Sequence, residues 1–356
     1  MQPLLITSDG RLGGDVERLA AAAGSGLQRV DDVSGARALW SQVPVVLLDA
    51  AALTRLAEAG LPRRPGVSVL CRGEPRPAVW EQALHAGAER VLVLPDAEPA
   101  VVELLADAAE GPDRDGRVIA VVGGRGGAGA SVFAAALGVM AARRGERALL
   151  VDCDPLGGGL DLLLGVEHVD GLRWPQLSVA GGRVPAAALH GALPAAGPPA
   201  AFDGGVLSVL SCGPAGHAPA ADGVAAVVEA GRRAGDVVVC DVPRPLPAPA
   251  WAALDRADLV VLVVPAEVRA CAAARPVAAQ LLERNCAVRA VVRGPAPGGL
   301  TPADVARALS VPLLTAMRPA PKLTAALEAG RLPLRSARGP LARAAAATLD
   351  AAGVAR

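Results

Sequence analysis

The chain has 356 residues, of which 52% are hydrophobic and 20% charged, so it holds apolar material for more than one packed core and two domains are the better expectation. Its 35 basic and 35 acidic residues cancel, which argues against broad electrostatic binding to nucleic acid or anionic lipid, and the lack of tyrosine with only 2% aromatics argues against base-stacking platforms. Six cysteines (71, 153, 212, 240, 271, 286) are scattered without C-x-x-C pairs, which predicts reduced, buried thiols of a cytoplasmic protein. No basic n-region precedes a long apolar stretch, so a secretory signal is not expected. No run reaches the roughly 18 apolar residues of a membrane span.

In chain order, Pro3–Thr7 predicts a strand that ends in Ser8 and Asp9. Leu12–Ala23 predicts a helix, Leu27–Val30 a strand, and Val33–Trp40 a second helix. Val45–Leu48 predicts a third strand ending in Asp49, and Val67–Cys71 a fourth. Pro77–Ala86 predicts a helix, Val91–Leu94 a fifth strand, and the stretch from Pro99 to Ala109 a last helix. The alternation predicts a doubly wound α/β domain over 1–110. The polar segment 111–117 reads as a linker, with the second domain over 118–356.

The second domain opens on RVIAVVGGRGGAGAS, 117–131. Ile119–Val122 predicts a buried parallel strand, glycines follow at 123, 124, 126, 127 and 129, and Ser131 opens an Ala-rich helix to about Arg144. Glycines let backbone N–H groups approach an anion, and the helix start adds partial positive charge. Gly124-x4-Gly129-Ala130-Ser131 fits the phosphate-loop pattern G-x-x-x-x-G-K-[ST] except that Ala130 stands at the lysine position. The sole lysine of the chain is Lys322. A charged hydrogen bond to phosphate contributes roughly 1.5–3 kcal/mol, so its loss should weaken binding about ten- to a hundredfold. Hydrolysis should suffer more, because the same contact stabilises charge that develops during transfer.

Ala148–Val151 predicts a strand ending in Asp152-Cys153-Asp154-Pro155, carboxylates that fall beside any bound phosphate or magnesium. A glycine turn (157–159) leads to a short helix, Leu160–Leu164; another spans Pro185–Leu193 within an otherwise uninformative stretch, 181–201. Val206–Leu210 is a strand, and Asp222–Arg233 a helix with Asp222 as a candidate N-cap. Asp236–Cys240 is a strand ending in Asp241-Val242-Pro243, the form of a Walker B strand. Leu259–Val264 and Ala287–Val292 are buried strands joined by the helix Glu267–Arg284. Thr301 caps a helix with Pro302 at its first position and Asp304 three residues on. Val311–Leu314 is an edge strand, and Leu341–Ala351 an Ala-rich terminal helix whose apolar face is too weak for direct membrane binding. His85, His168, His190 and His217 form no ligand-like cluster; Cys153 and Cys240 read as packing, and Trp174 and Trp251 as anchors of loops on the core.

The first domain resembles a response-regulator receiver. That resemblance puts Asp49 at the phosphate-accepting position and Asp9 at one of two magnesium-binding acids, with Ser8 in place of the other and Leu94 in place of the phosphate-contacting lysine. It implies a degenerate receiver used for docking or dimerisation; Asp9 and Asp49 as plain polar strand ends, and phosphorylation at Asp49, are the alternatives. From GGRGGAGAS through VDCDPLGGGLDLLLG, GLRWPQL and ADLVVLVVPAEVRA, the rest resembles the MinD/ParA group of deviant Walker P-loop ATPases. With the receiver in front, the whole chain resembles the CpaE/TadZ-type proteins and their actinobacterial septum site-determining branch (Ssd).

The resemblance implies a mostly parallel sheet and a nucleotide loop made by Gly124, Arg125, Gly126, Gly127, Ala128, Gly129, Ala130 and Ser131. It gives Arg125 the place of the lysine that reaches a partner's nucleotide, and Ser131 and Asp241 the magnesium. It makes Asp152, of the acid pair Asp152 and Asp154, the water-orienting group, and sets Arg293-Gly294 where an adenine-reading asparagine often stands. It implies ATP and magnesium bound weakly or not at all, and a homodimer that serves Tad/Flp pilus or secretion machinery or division proteins. Recruitment to pole or septum and only indirect membrane association go with it. The expected function is a positioning scaffold with little or no ATPase activity. Its rivals are an active ATP-dependent dimerisation switch and a phosphorelay regulator working through Asp49.

Overall fold

The computed structural model describes residues 2–110, 116–177, 184, 186–197, 202, 204–213, 217–284, 286–294, 298–320, 323–329, 332 and 339–355. The chain divides into two units, Met1–Asp113 and Arg114–Arg356. Most of the expected linker, and Lys322, lie outside the described residues.

The first unit runs β1 (Leu4–Ile6), α1 (Gly10–Ala22), β2 (Gln28–Val30), α2 (Val33–Ala36), β3 (Val46–Asp49), α3 (Ala50–Ala59), β4 (Val67–Arg72), α4 (Pro77–Ala86), β5 (Arg90–Leu94) and α5 (Glu98–Glu110). Its sheet is parallel in the order β2-β1-β3-β4-β5. Period-2 alternation splits the strands between two cores. Leu4, Ile6, Val46 and Leu48 pack with Val33, Leu53 and Val79 on one face; Leu5, Leu47 and Leu70 pack with Val16, Leu19 and Leu105 on the other. The helix α3 goes beyond the expected elements. Leu53 and Leu56 supply its inward spacing, and Gly60 ends it with φ +61°. By contrast α2 is one turn, shorter than the expected Val33–Trp40. Trp40 is buried beyond it and donates to Pro62 O at 2.9 Å.

The second unit runs β6 (Arg117–Gly123), α6 (Ala130–Ala142), β7 (Arg147–Asp152), α7 (Leu160–Leu164), α8 (Ala186–Ala192), β8 (Val206–Leu210), α9 (Ala221–Arg233), β9 (Val237–Val242), α10 (Ala248–Leu254), β10 (Leu259–Pro265), α11 (Val268–Glu283), β11 (Val288–Arg293), α12 (Pro302–Leu309), β12 (Leu313–Met317), α13 (Leu323–Leu327) and α14 (Pro340–Ala351). Arg117 is the first residue of β6, not linker. The sheet is parallel in the order β12-β11-β10-β6-β9-β7-β8. Sequence reading gave neither α10 nor α13. Trp251 therefore sits on a helix, not a loop, and the Arg284 guanidinium lies 4.5 Å from its ring centroid. Asp222 is not the N-cap of α9: Ala220 holds that place, and the Asp222 carboxylate accepts from Gly223 N at 2.9 Å. Thr301 and Asp304 do form the reciprocal capping box.

The Ala-rich composition has a packing cause. Every residue of α6 from Phe133 to Ala142 is buried, and only small side chains let a helix be enclosed on all sides. The terminal helix α14 covers it with Leu341, Ala345 and Leu349. Arg144 fixes the junction by donating to Ala346 O at 3.0 Å and Asp350 Oδ1 at 2.8 Å. The apolar face of the tail is thus turned inward.

Candidate functional site

Strand register builds the site. In a parallel α/β sheet, ligands sit beyond the carboxyl ends of the strands, where the chain order reverses. Here β6 ends in the glycine loop, and the carboxyl ends of β7 and β9 bring Asp152 opposite Asp241. Gly127 and Gly129 have φ of +70° and +91°, left-handed conformations that favour glycine. Gly124 is a glycine for another reason: a Cβ there would meet Ala274 Cβ at 2.8 Å and Val264 Cγ2 at 2.9 Å. It seats the loop on α11 and does not line the cavity. Arg125, Gly126, Gly127, Ala128, Gly129, Ala130 and Ser131 do line it, a space of about 290 Å3 that also includes Asp154, Asp241 and Arg244. Ala130 begins α6, so the lysine position points a methyl group where a charge would stand.

The Ser131 hydroxyl hydrogen-bonds the Asp241 carboxylate. Burial pushes Asp241 up to about 7; the Ser131 bond opposes this, and the Asp152 and Asp154 charges add to it. Burial likewise pushes Asp152 up to about 6, against hydrogen bonds from the backbone N–H groups of Asp154, Cys212 and Leu160. A hydroxyl beside buried carboxylates is a hard-oxygen donor set. These residues fit magnesium held jointly by the protein and by nucleotide phosphates; among the described residues no group of three or more His, Cys, Asp or Glu could hold a metal alone.

Asp152, the expected water-orienting acid, is heavily engaged. Its Oδ1 accepts from Asp154 N at 3.0 Å, and its Oδ2 from Ser211 Oγ at 3.3 Å and Leu160 N at 3.4 Å. It lines a neighbouring space of about 380 Å3 with Ser131 and Asp241. In Asp154, Oδ1 accepts from Leu156 N at 3.0 Å, while Oδ2 accepts no hydrogen bond among the described residues. Asp154 therefore has the freer carboxylate on the loop side. Arg125 is tied down: its Nη2 lies 3.1 and 3.0 Å from the two Glu267 carboxylate oxygens.

Sequence reading missed the support behind Asp152. Trp174 Nε1 donates to Asp152 O at 2.7 Å, and Ser211 bridges Asp152 to Asp161. Arg173 contacts Asp161 Oδ2 at 3.4 Å and donates to Gly171 O at 2.7 Å. The signal was present in GLRWPQL, a run that carried a resemblance but no assigned contacts. Cys153 and Cys240 are buried thiols; the hydrogen bond between them and then burial push Cys153 well above the ordinary range, so the packing reading stands. His190 does take part in a cluster, between Ser208 Oγ and Asp236 Oδ2 at 2.7 Å each. Ser208 is 1% exposed and Asp236 also holds Arg147 at 2.7 Å, so this is a buried network and not a nucleophile.

In the first unit both acids start helices. Asp9 caps α1 by accepting from Arg11 N and Leu12 N at 2.8 and 3.2 Å, and those bonds hold it below the usual carboxylate range. Asp49 caps α3 by accepting from Ala52 N at 2.6 Å, and its other oxygen accepts from Thr7 Oγ1 at 2.6 Å. Leu94, at the lysine position, is buried.

Comparison with known proteins agrees with this architecture. Residues 6–116 match the Rv3660c-like, CheY-like N-terminal domain family, and residues 119–230 match the CobQ/CobB/MinD/ParA nucleotide binding domain family. MinD cell division protein of Aquifex aeolicus superposes with a TM-score of 0.54 at 22% identity, covering 67% of this chain and 98% of that one. Cell division ATPase MinD of Pyrococcus furiosus superposes with a TM-score of 0.50 at 21% identity, covering 66% and 99%. The class is therefore a receiver-like domain followed by a P-loop domain of the MinD/ParA fold. Protein Rv3660c of Mycobacterium tuberculosis is 48% identical over 347 residues, 96% of this chain and 95% of that protein. The chain belongs to the Rv3660c-like family.

Proposed function

We propose that this protein is a positioning scaffold of the CpaE/TadZ kind, nearest in type to the septum site-determining branch. Its MinD/ParA domain binds adenine nucleotide with magnesium weakly and turns it over slowly or not at all. The observation that carries this reading is Ala130 as the first residue of α6 inside a fully formed glycine loop. Backbone N–H groups and Ser131 remain to hold phosphate, while the cation that stabilises transfer from within the loop is gone. Ser131 and Asp241 would hold the magnesium, which supplies charge neutralisation of the phosphates when bound. Asp154, with its freer oxygen, takes the polar role toward water in place of Asp152. The protein acts as a homodimer that recruits pilus, secretion or division machinery to a cell pole or septum, and it meets the membrane through partners.

The rival reading is an ATP-driven dimerisation switch. It draws on one observation, that Ser131, Asp152 and Asp241 line a common space. A steady-state ATPase assay on the purified chain separates the two, and calorimetry with Mg-ATP tests the nucleotide binding that both require. The scaffold reading expects measurable heat that Ser131→Ala abolishes, with turnover at or near background. Vigorous ATP consumption by the wild-type chain sinks it. Ala130→Lys is expected to tighten binding about ten- to a hundredfold.

A further inference from the structure

The glycine loop lacks its own lysine, yet it is not short of positive charge. Three arginines approach it, and they differ in what holds them. Arg125 is neutralised by Glu267, with both carboxylate oxygens within 3.1 Å. Arg244, two residues after the Asp241-Val242 end of β9, lines the loop cavity. Its Nη1 donates to Gly124 O at 3.2 Å and to Ala273 O at 3.4 Å. Both acceptors are neutral, and no carboxylate pairs with this guanidinium among the described residues. Arg293 is the last residue of β11. Its Nη1 stands 3.2 Å from where a Cβ of Gly129 would lie, and its side chain has no hydrogen bond or ion pair among the described residues.

Gly124 and Gly129 are the two ends of the loop, and Ala130 follows the second. A guanidinium thus stands at each end, and neither is offset by a carboxylate. A guanidinium keeps its charge at any working pH and presents a planar fork that matches phosphate oxygens bidentately. An anion in the cradle would supply the counter-charge that the protein leaves out.

We infer that Arg244 and Arg293 together replace the missing loop lysine, gripping the polyphosphate of a nucleoside triphosphate from outside the loop. This rests on the reading that the loop binds nucleotide, and it names the cations that make such binding workable with Ala130 in place. Because they enter from β9 and β11 and not from the first turn of α6, they hold ground-state phosphate without occupying the lysine's place at the transferring group. On the proposed reading, such a grip favours bound phosphate over the transition state, so binding is kept while turnover is lost.

The test is calorimetry of the full chain with two probes, Mg-ATP and inorganic tripolyphosphate, which has no base. Arg244→Ala/Arg293→Ala is expected to lose about a hundredfold in affinity for both probes. Adding Ala130→Lys to that variant should restore most of it. Arg244→Lys/Arg293→Lys retains both charges and should stay within about tenfold of wild type, and thermal melts confirm that each variant is folded. The inference is overturned if the double alanine variant binds both probes as wild type does. It is also overturned if only Mg-ATP binding falls, which would make Arg293 a base contact, or if a folded Ala130→Lys triple variant shows no recovery. No Mg-ATP binding by wild type would instead bring down the nucleotide reading itself.

Discussion

The two units present the same kind of site, acids at the carboxyl ends of parallel strands, and one acid, Asp241, is treated differently from the rest. In the first, Asp9 and Asp49 accept bonds from the turns that follow, and Asp49 also holds Thr7. Those carboxylates are hydrogen-bonded within the fold and start its helices. In the second, Asp152 likewise accepts from the Asp154 and Leu160 N–H groups, but Asp241, which it faces across the register, is buried with one hydroxyl partner. The lesson is that an acid at a strand end is structural when local backbone N–H groups satisfy it. It is a candidate ligand site when burial leaves its charge short of partners.

The largest expected effect follows from that difference. Asp241→Asn should stabilise the apo protein at pH 8 by about 2–3 kcal/mol, since a shift of roughly three units corresponds to about 4 kcal/mol and the weakened Ser131 bond returns about 1. The sign follows from linkage. The folded-state value, about 7, lies above the ordinary 3.8, so the charged carboxylate destabilises the fold increasingly as pH rises from about 4 to 7. Thermal melts should show the advantage of Asp241→Asn nearly constant from pH 8 to about 7 and shrinking as pH falls from there to about 4. A variant less stable than wild type at pH 8 would mean that Asp241 is as well satisfied as Asp49.

Asp49→Ala should act in the other direction. It removes the cap of α3 and strands the buried Thr7 hydroxyl, for a loss of about 1–3 kcal/mol. Asp49→Asn keeps an oxygen for Ala52 N and should cost under about 1 kcal/mol. Acetyl phosphate should leave wild-type Asp49 unmodified by mass spectrometry; a stable, Asp49-dependent adduct would return this unit to the phosphorelay class.

How much of this was legible in the sequence differed by unit for physical reasons. Strand positions were legible nearly throughout, because runs such as Leu259–Val264 are buried on both faces and must be apolar throughout. Helix α10 was not, since APAWAAL carries no polar contrast for a 3.6-residue period to reveal, whereas α3 was missed although Leu53 and Leu56 against Thr54, Arg55 and Glu58 carry that period. The loop was legible down to its odd residue, because glycine spacing encodes backbone geometry. Its surroundings were not: Arg244, Arg293 and Glu267 reach Gly124, Gly129 and Arg125 from just after β9, from the end of β11 and from the N-cap of α11, and spacing along a chain does not report such contacts. The capping roles of Asp9 and Asp49 were legible only as one of several alternatives, since a cap and a ligand share residue type and position.

The smallest effect concerns Arg125, the one loop cation that is neutralised. Arg125 and Glu267 are both partly exposed, and such pairs contribute about 0–1 kcal/mol, so Glu267→Ala should barely move the melting temperature. Its consequence should lie in binding instead. A guanidinium released from Glu267 adds an uncompensated positive charge at the cradle, and Mg-ATP affinity should rise a few-fold, more at low salt than at high salt because the released charge is solvent-screened. Calorimetry at two ionic strengths reads this directly. An unchanged affinity would show that Arg125 faces away from the cradle even when free, and that the guanidinium groups of Arg244 and Arg293 are the ones an anion there can use.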